Sequence, residues 1–275
     1  MRHVTPHGPF VGLVGVLTLL VVLDRTTGLG PLGWVVGLSC GLALCLLLGT
    51  GLVRASRSHL LPADRVTLTR AVLAAGVAAL VADVVPSADG TVDSHGLPAV
   101  PGAPGVVVAL VALSSVALVL DAVDGRVARR TGTVHPLGAR FDMETDAFLI
   151  LVLSAHVARD LGWWVLGVGA ARYLLMLVVL ASRWAPWLRG QVPARLWRKA
   201  VAAYQGIVLT LAAAGILPTA TASAAVAAGL GLLVVSFGTE VVTLSRMAAS
   251  RSREAEVPGP WPGAGPTAVD VRVSP

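Results

Sequence analysis

DAVDGRVARRTGTVHPLGARFDMETD, residues 121–146, lies between two apolar runs, and its reading decides what kind of protein this is. It gathers Asp121, Asp124, Asp142, Glu144 and Asp146 in a chain of 275 residues of which only 13% are charged. Hydrophobic residues make up 55% and the mean hydropathy is +0.79, values that an ordinary soluble domain of this length does not show. The apolar runs are rich in Leu, Val, Ala and Gly and do not alternate as barrel strands do. Most match the ~20 residues with which a helix crosses a bilayer core. The expected fold is an all-α polytopic membrane protein.

Eight apolar runs are candidate spans, at 8–23, 31–53, 64–85, 105–121, 146–160, 163–182, 199–217 and 221–243. The first is short and follows Arg2, as a secretory signal would, but no small-residue cleavage site appears in DRTTGLGPLG. It is read as a retained helix. Of the 21 positive charges all but Lys199 are arginine. With a cytoplasmic N-terminus, the inner segments collect Arg54, Arg57, Arg126, Arg129, Arg130, Arg140, Arg183, Arg189, Arg195, Arg198 and Lys199, then Arg246, Arg251 and Arg253. The outer loops keep only Arg25 and Arg159, and PSADGTVDSHGLPAVPGAP at 86–104 carries no positive charge. The positive-inside rule then puts both termini and residues 121–146 on the cytoplasmic side of the cell membrane. The net charge of +6 reflects topology and contact with anionic membrane lipids, with no nucleic-acid partner needed.

Cys40 and Cys45 share one apolar run and read as packing residues. The six histidines show no ligand spacing. Trp184, Trp187 and Trp197 alternate with arginines in WAPWLRGQVPARLWRK, as in a segment lying along the membrane surface. The end of the chain is rich in Pro and Gly, and 248–275 is expected to be a disordered cytoplasmic tail.

Carboxylates at membrane depth are unfavourable unless paired, hydrated or bound to a cation, so the acidic stretch is a functional site by default. Asp121 and Asp124 stand three apart and Asp142 and Asp146 four apart, which puts each pair on one helical face. The first pair is expected to close a descending helix and the second to open an ascending one. Four converging carboxylates repel one another unless divalent cations neutralise them, and all-oxygen ligation favours Mg²⁺ or Mn²⁺. Two such ions suit phosphoryl transfer. Gly125 and Ala128 leave room for a bulky ligand, Arg129 is placed as a phosphate clamp, and Gly138 allows backbone and ligand to approach closely.

Asp121, Asp124, Gly125, Ala128, Arg129, Gly138, Asp142 and Asp146 fill every fixed position of D-x2-D-G-x2-A-R-x8-G-x3-D-x3-D. That pattern resembles the signature of the CDP-alcohol phosphatidyltransferase family. The resemblance implies a six-helix core at 61–247, here preceded by additional transmembrane helices and a linker at 1–60. It also implies a homodimer. The family often carries a Pro-Asn-x-x-Thr-x-x-Arg stretch that helps hold the nucleotide. PADRVTLTR is similar, with Pro62, Thr67 and Arg70 near the matching places and Asp64 where an amide is commoner. The residue reading of that stretch alone is a helix start capped by Asp64. Two positions depart from the family's usual choices, His135 where Ser or Thr is common and Ala147 where a basic residue follows the last Asp.

The implied chemistry is transfer from CDP-diacylglycerol or another CDP-alcohol to a hydroxyl acceptor, with release of CMP. In that reading Asp121, Asp124 and Asp142 are the main ligands of two Mg²⁺ or Mn²⁺ ions. Asp146 touches the second ion and acts as the catalytic base, and Glu144, out of phase, faces away. Asp64 and Thr67 join the donor-binding residues. Arg172, mid-span, pairs with a motif carboxylate or meets a phosphorylated acceptor. The competing class is a transporter whose carboxylates carry an ion. Transporters place charges near mid-bilayer in matching halves, whereas these acids form one contiguous motif at one face. A catalytically silent family member has no support, because every motif position is filled.

Overall fold

The computed structural model of the chain describes residues 7–54, 62–84, 103–131, 136–181 and 196–256. The described residues form eight α-helices: α1 (His7–Thr27), α2 (Pro31–Arg54), α3 (Pro62–Asp83), α4 (Ala103–Thr131), α5 (Pro136–Leu161), α6 (Leu166–Ala181), α7 (Leu196–Ala213) and α8 (Thr219–Glu256). A 3-10 turn, Trp163–Val165, joins α5 to α6. No strand occurs among the described residues. Runs of Leu, Val and Ala settle into helices because an apolar setting leaves the backbone only its own hydrogen bonds. Pro31, Pro62 and Pro136 each stand at a first helical position, where a missing N–H leaves no bond unmade. After α1, Gly28 turns the chain at a φ of 71° and donates its N–H to the Asp24 carbonyl at 3.0 Å.

Among the described residues each of the eight expected runs falls for the most part on a helix. Five helices among the described residues are long and apolar enough to cross a membrane: Gly8–Thr27, Pro31–Val53, Asp64–Asp83, Pro104–Val123 and Thr219–Ala248. The expected spans at 163–182 and 199–217 appear as shorter apolar stretches, Trp163–Leu177 and Lys199–Ala213. The 146–160 run belongs to α5, whose acidic first half and terminal Arg159 and Asp160 dilute its apolarity. Large side chains such as Phe10, Val35, Val108 and Val234 point outward. A membrane protein is expected to present such a surface to lipid tails.

The centre of the bundle is α3. Two thirds of its span is buried (67%), against 22% for α1 and α4, and it packs on α1, α2, α4 and α5. Ala74, Ala75, Ala78 and Ala79 give it a smooth surface that neighbours approach closely. Gly37 of α2 uses that surface: a Cβ there would stand 2.9 Å from the Ala79 methyl and 2.7 Å from Leu20. Val16, Leu20 and Leu23 of α1 enter the same apolar core as Leu149, Leu153 and Val157 of α5 and Leu209 of α7. The two N-terminal helices thus help to build the core and are not loosely appended to it. At one end Asp83 accepts the Gly30 N–H at 2.7 Å, and Arg159 donates to the carbonyls of Val81 (2.7 Å) and Val84, closing the last turn of α3.

Two helices outrun the lengths expected of them. The apolar run of α4 stops at Asp121, yet the helix continues to Thr131. Its next residues, AVDGRVARR, include good helix formers, and each one added gains a backbone bond without a new nucleus. Asp121 and Asp124 therefore lie inside a helix, not at its close. Likewise α8 stays helical to Glu256, past the start of the expected tail at 248.

Candidate active site

Three helices meet at the acidic centre, and α3 stands between the two that carry the acids. It is a principal neighbour of both α4 and α5. On α3, Asp64, Thr67 and Arg70 recur every three residues and so share one face; all three are buried. Asp121 comes from α4, and Asp142 and Asp146, one turn apart, come from α5. One carboxylate oxygen from each of these three aspartates lies within 4.8 Å of the other two. Their side chains are 41%, 31% and 30% exposed, so the cluster is partly open to its surroundings.

Arg70 is the charge on which the cluster closes. It is 1% exposed, and its Nε donates to the Ala117 carbonyl on α4 at 3.2 Å. Its Nη1 pairs with Asp121 Oδ1 at 3.2 Å and also with Asp142, while Nη2 pairs with Asp146. One guanidinium thus ties α3 to both neighbours. Stripping a buried charge of its partners costs about 3–5 kcal/mol, so this arrangement holds the bundle as well as the acids.

Beside the cluster, α5 approaches α3 through Gly138. A Cβ there would sit 2.6 Å from Asp64 Oδ1, so a larger residue would have to displace that carboxylate. Glu144 points elsewhere, to Arg172 of α6, with Oε1 accepting from Nη2 at 2.6 Å. Of the two roles expected for Arg172, the structure shows an interhelical pair, but with Glu144 and not with an aspartate of the motif. Glu144 lies two residues from both Asp142 and Asp146, which at 100° per residue turns it off their face.

The structure thus brings together Asp121, Asp142 and Asp146 as the spacing suggests, and sets Asp64, Thr67 and Gly138 at their flank. Asp124, Gly125, Ala128 and Arg129 lie on α4, with side chains outside the described residues, and His135 itself lies outside the described residues. Arg70 is the residue whose centrality the sequence reading missed. The available signal was a positive charge two turns into an apolar helix, which has to find its partner on another helix.

An all-helical polytopic membrane protein with an acidic centre at the junction of three helices is the class that fold and site define. A family model described as CDP-alcohol phosphatidyltransferase matches residues 61–238, from α3 into α8, and the chain belongs to this family. It is accordingly a transferase of phosphatidyl-type groups from a CDP-alcohol in lipid synthesis. No match is found among curated proteins or among solved structures. The donor set fits the divalent cations on which the family in general depends: hard carboxylate oxygens, clustered and partly exposed.

Proposed function

We propose that the protein takes the phosphatidyl group of CDP-diacylglycerol, or the phospho-alcohol of a similar CDP-alcohol, and passes it to a hydroxyl acceptor with release of CMP. The observation that carries this reading is the convergence of Asp121, Asp142 and Asp146 in a chain of this family. Together with Asp124 they would hold two Mg²⁺ or Mn²⁺ ions. Such ions, when bound, offset charge on the pyrophosphate and on the entering and leaving oxygens.

The remaining work falls to the chain's own residues. Asp146 takes the proton of the acceptor hydroxyl. The oxygen so freed bonds to the phosphorus that bears the lipid, the bond from that phosphorus to the CMP oxygen breaks, and CMP leaves with the electron pair. Arg129 steadies a donor phosphate. Asp64 and Thr67 hold the nucleotide at the start of α3, and Gly125, Ala128 and Gly138 keep space for it. The reading places the site and both termini on the cytoplasmic face of the cell membrane, in line with the arginine distribution. It takes 61–247 as the catalytic core and 1–60 as an addition, with 248–275 a cytoplasmic tail. The homodimer rests on family membership alone.

The acceptor is open to direct test. Purified protein with CDP-diacylglycerol and Mg²⁺ should release CMP when given one member of a panel comprising glycerol 3-phosphate, inositol phosphate, inositol, serine and phosphatidylglycerol. The lipid formed names the acceptor. Absence of CMP with every acceptor, in both Mg²⁺ and Mn²⁺, would count against the reading.

A further inference from the structure

We infer that Arg70 is a built-in counter-ion for the metal-free site, and that cation binding displaces its guanidinium from the carboxylates. The inference rests on the cation-dependent reading above and adds to it an order of events. In the structure Arg70 engages the Oδ1 atoms of Asp121, Asp142 and Asp146 together. Three carboxylates carry three negative charges and Arg70 returns one positive charge, so the cluster is left short of neutrality and attractive to a cation. A cation that bonds to these same oxygens competes with the guanidinium for them. Hard ions need the oxygen lone pairs directed at themselves, and like charges so close repel.

Burial sharpens the competition. Arg70 is 1% exposed and is anchored to α4 through its Nε, so it waits beside the acids and does not diffuse away. In the metal-free protein it suppresses the mutual repulsion of the carboxylates and keeps α3, α4 and α5 in register. The same guanidinium then opposes loading, which makes Arg70 a positioning residue that sets how much free cation the enzyme needs.

The test compares wild-type protein with Arg70→Met and Arg70→Lys in detergent, by titrating Mn²⁺ and recording bound ion by electron paramagnetic resonance. Thermal unfolding is followed with and without Mg²⁺. Arg70→Met should bind Mn²⁺ roughly tenfold more tightly than wild type. It should melt lower without metal and gain more on adding Mg²⁺, and Arg70→Lys should fall between. Equal or weaker Mn²⁺ binding in Arg70→Met would overturn the inference while leaving the cation site standing. Failure of all three proteins to bind Mn²⁺ would overturn both. A measurement on wild type alone guards against a variant that does not fold. Phenylglyoxal labelling of Arg70, read by mass spectrometry, should be low in chelator and rise several-fold in Mg²⁺; labelling that is unchanged or lower in Mg²⁺ would contradict displacement.

Discussion

Asp146→Asn should lower CMP release by about 10²–10⁴-fold, the range that removal of a general base produces. The amide matches the carboxylate in size and still accepts a hydrogen bond through its oxygen, so the space beside Arg70 stays filled. What disappears is the capacity to take a proton and one negative charge of the cluster. Asp146 stands on α5 one turn after Asp142, with its side chain 30% exposed, so an acceptor approaching from the open side can reach it. Arg70 keeps Asp121 and Asp142 as partners in the variant. Its unfolding midpoint should therefore move far less than its activity. Turnover in Asp146→Asn within threefold of wild type would remove Asp146 from the chemistry.

Gly169→Leu should separate α6 from α5 and lower the unfolding midpoint sharply. A Cβ at Gly169 would stand 2.6 Å from the Leu151 Cα and 2.9 Å from Ser154 Oγ. The nearest obstacle is backbone in the middle of a helix and cannot swing aside as a side-chain tip can. Overpacking of this kind typically costs about 1–3 kcal/mol, and a rigid neighbour places it toward the upper end. The expectation is a loss of monodisperse protein in detergent or a markedly lower melting temperature, with Gly169→Ala milder than Gly169→Leu. A Leu variant that melts with wild type would show that α5 and α6 do not pack as described. Separation would also strain the Glu144–Arg172 pair, which joins the same two helices.

Much of this architecture is legible in the chain itself. The apolar runs mark the helices because membrane-like burial leaves little choice of secondary structure. The helix ends are less legible, since hydropathy reports where apolar surface stops and not where backbone bonding stops. At Asp121 the first ends and the second continues to Thr131. The acidic centre is half legible. Asp142 and Asp146 share a face by spacing alone, and their meeting with Asp121 follows if the two helices converge. That α3 stands between them is not written in either motif. Arg70 lies 51 residues before Asp121 and 76 before Asp146, so its place depends on three helices packing at once. The same holds for Arg172: its sequence position says that it needs a partner, but only the α5–α6 contact selects Glu144.

Asp121, Asp142 and Asp146 are proposed to form a cation-dependent centre for transfer from a CDP-alcohol. The most direct measurement follows CMP release from CDP-diacylglycerol by purified protein, with its accepting alcohol, after chelation and again after Mg²⁺ is returned, beside Asp142→Asn under the same conditions. Release should vanish with chelator, return with Mg²⁺, and stay near background in the variant throughout. Release that persists after chelation, or that Asp142→Asn retains in full, would contradict that proposal.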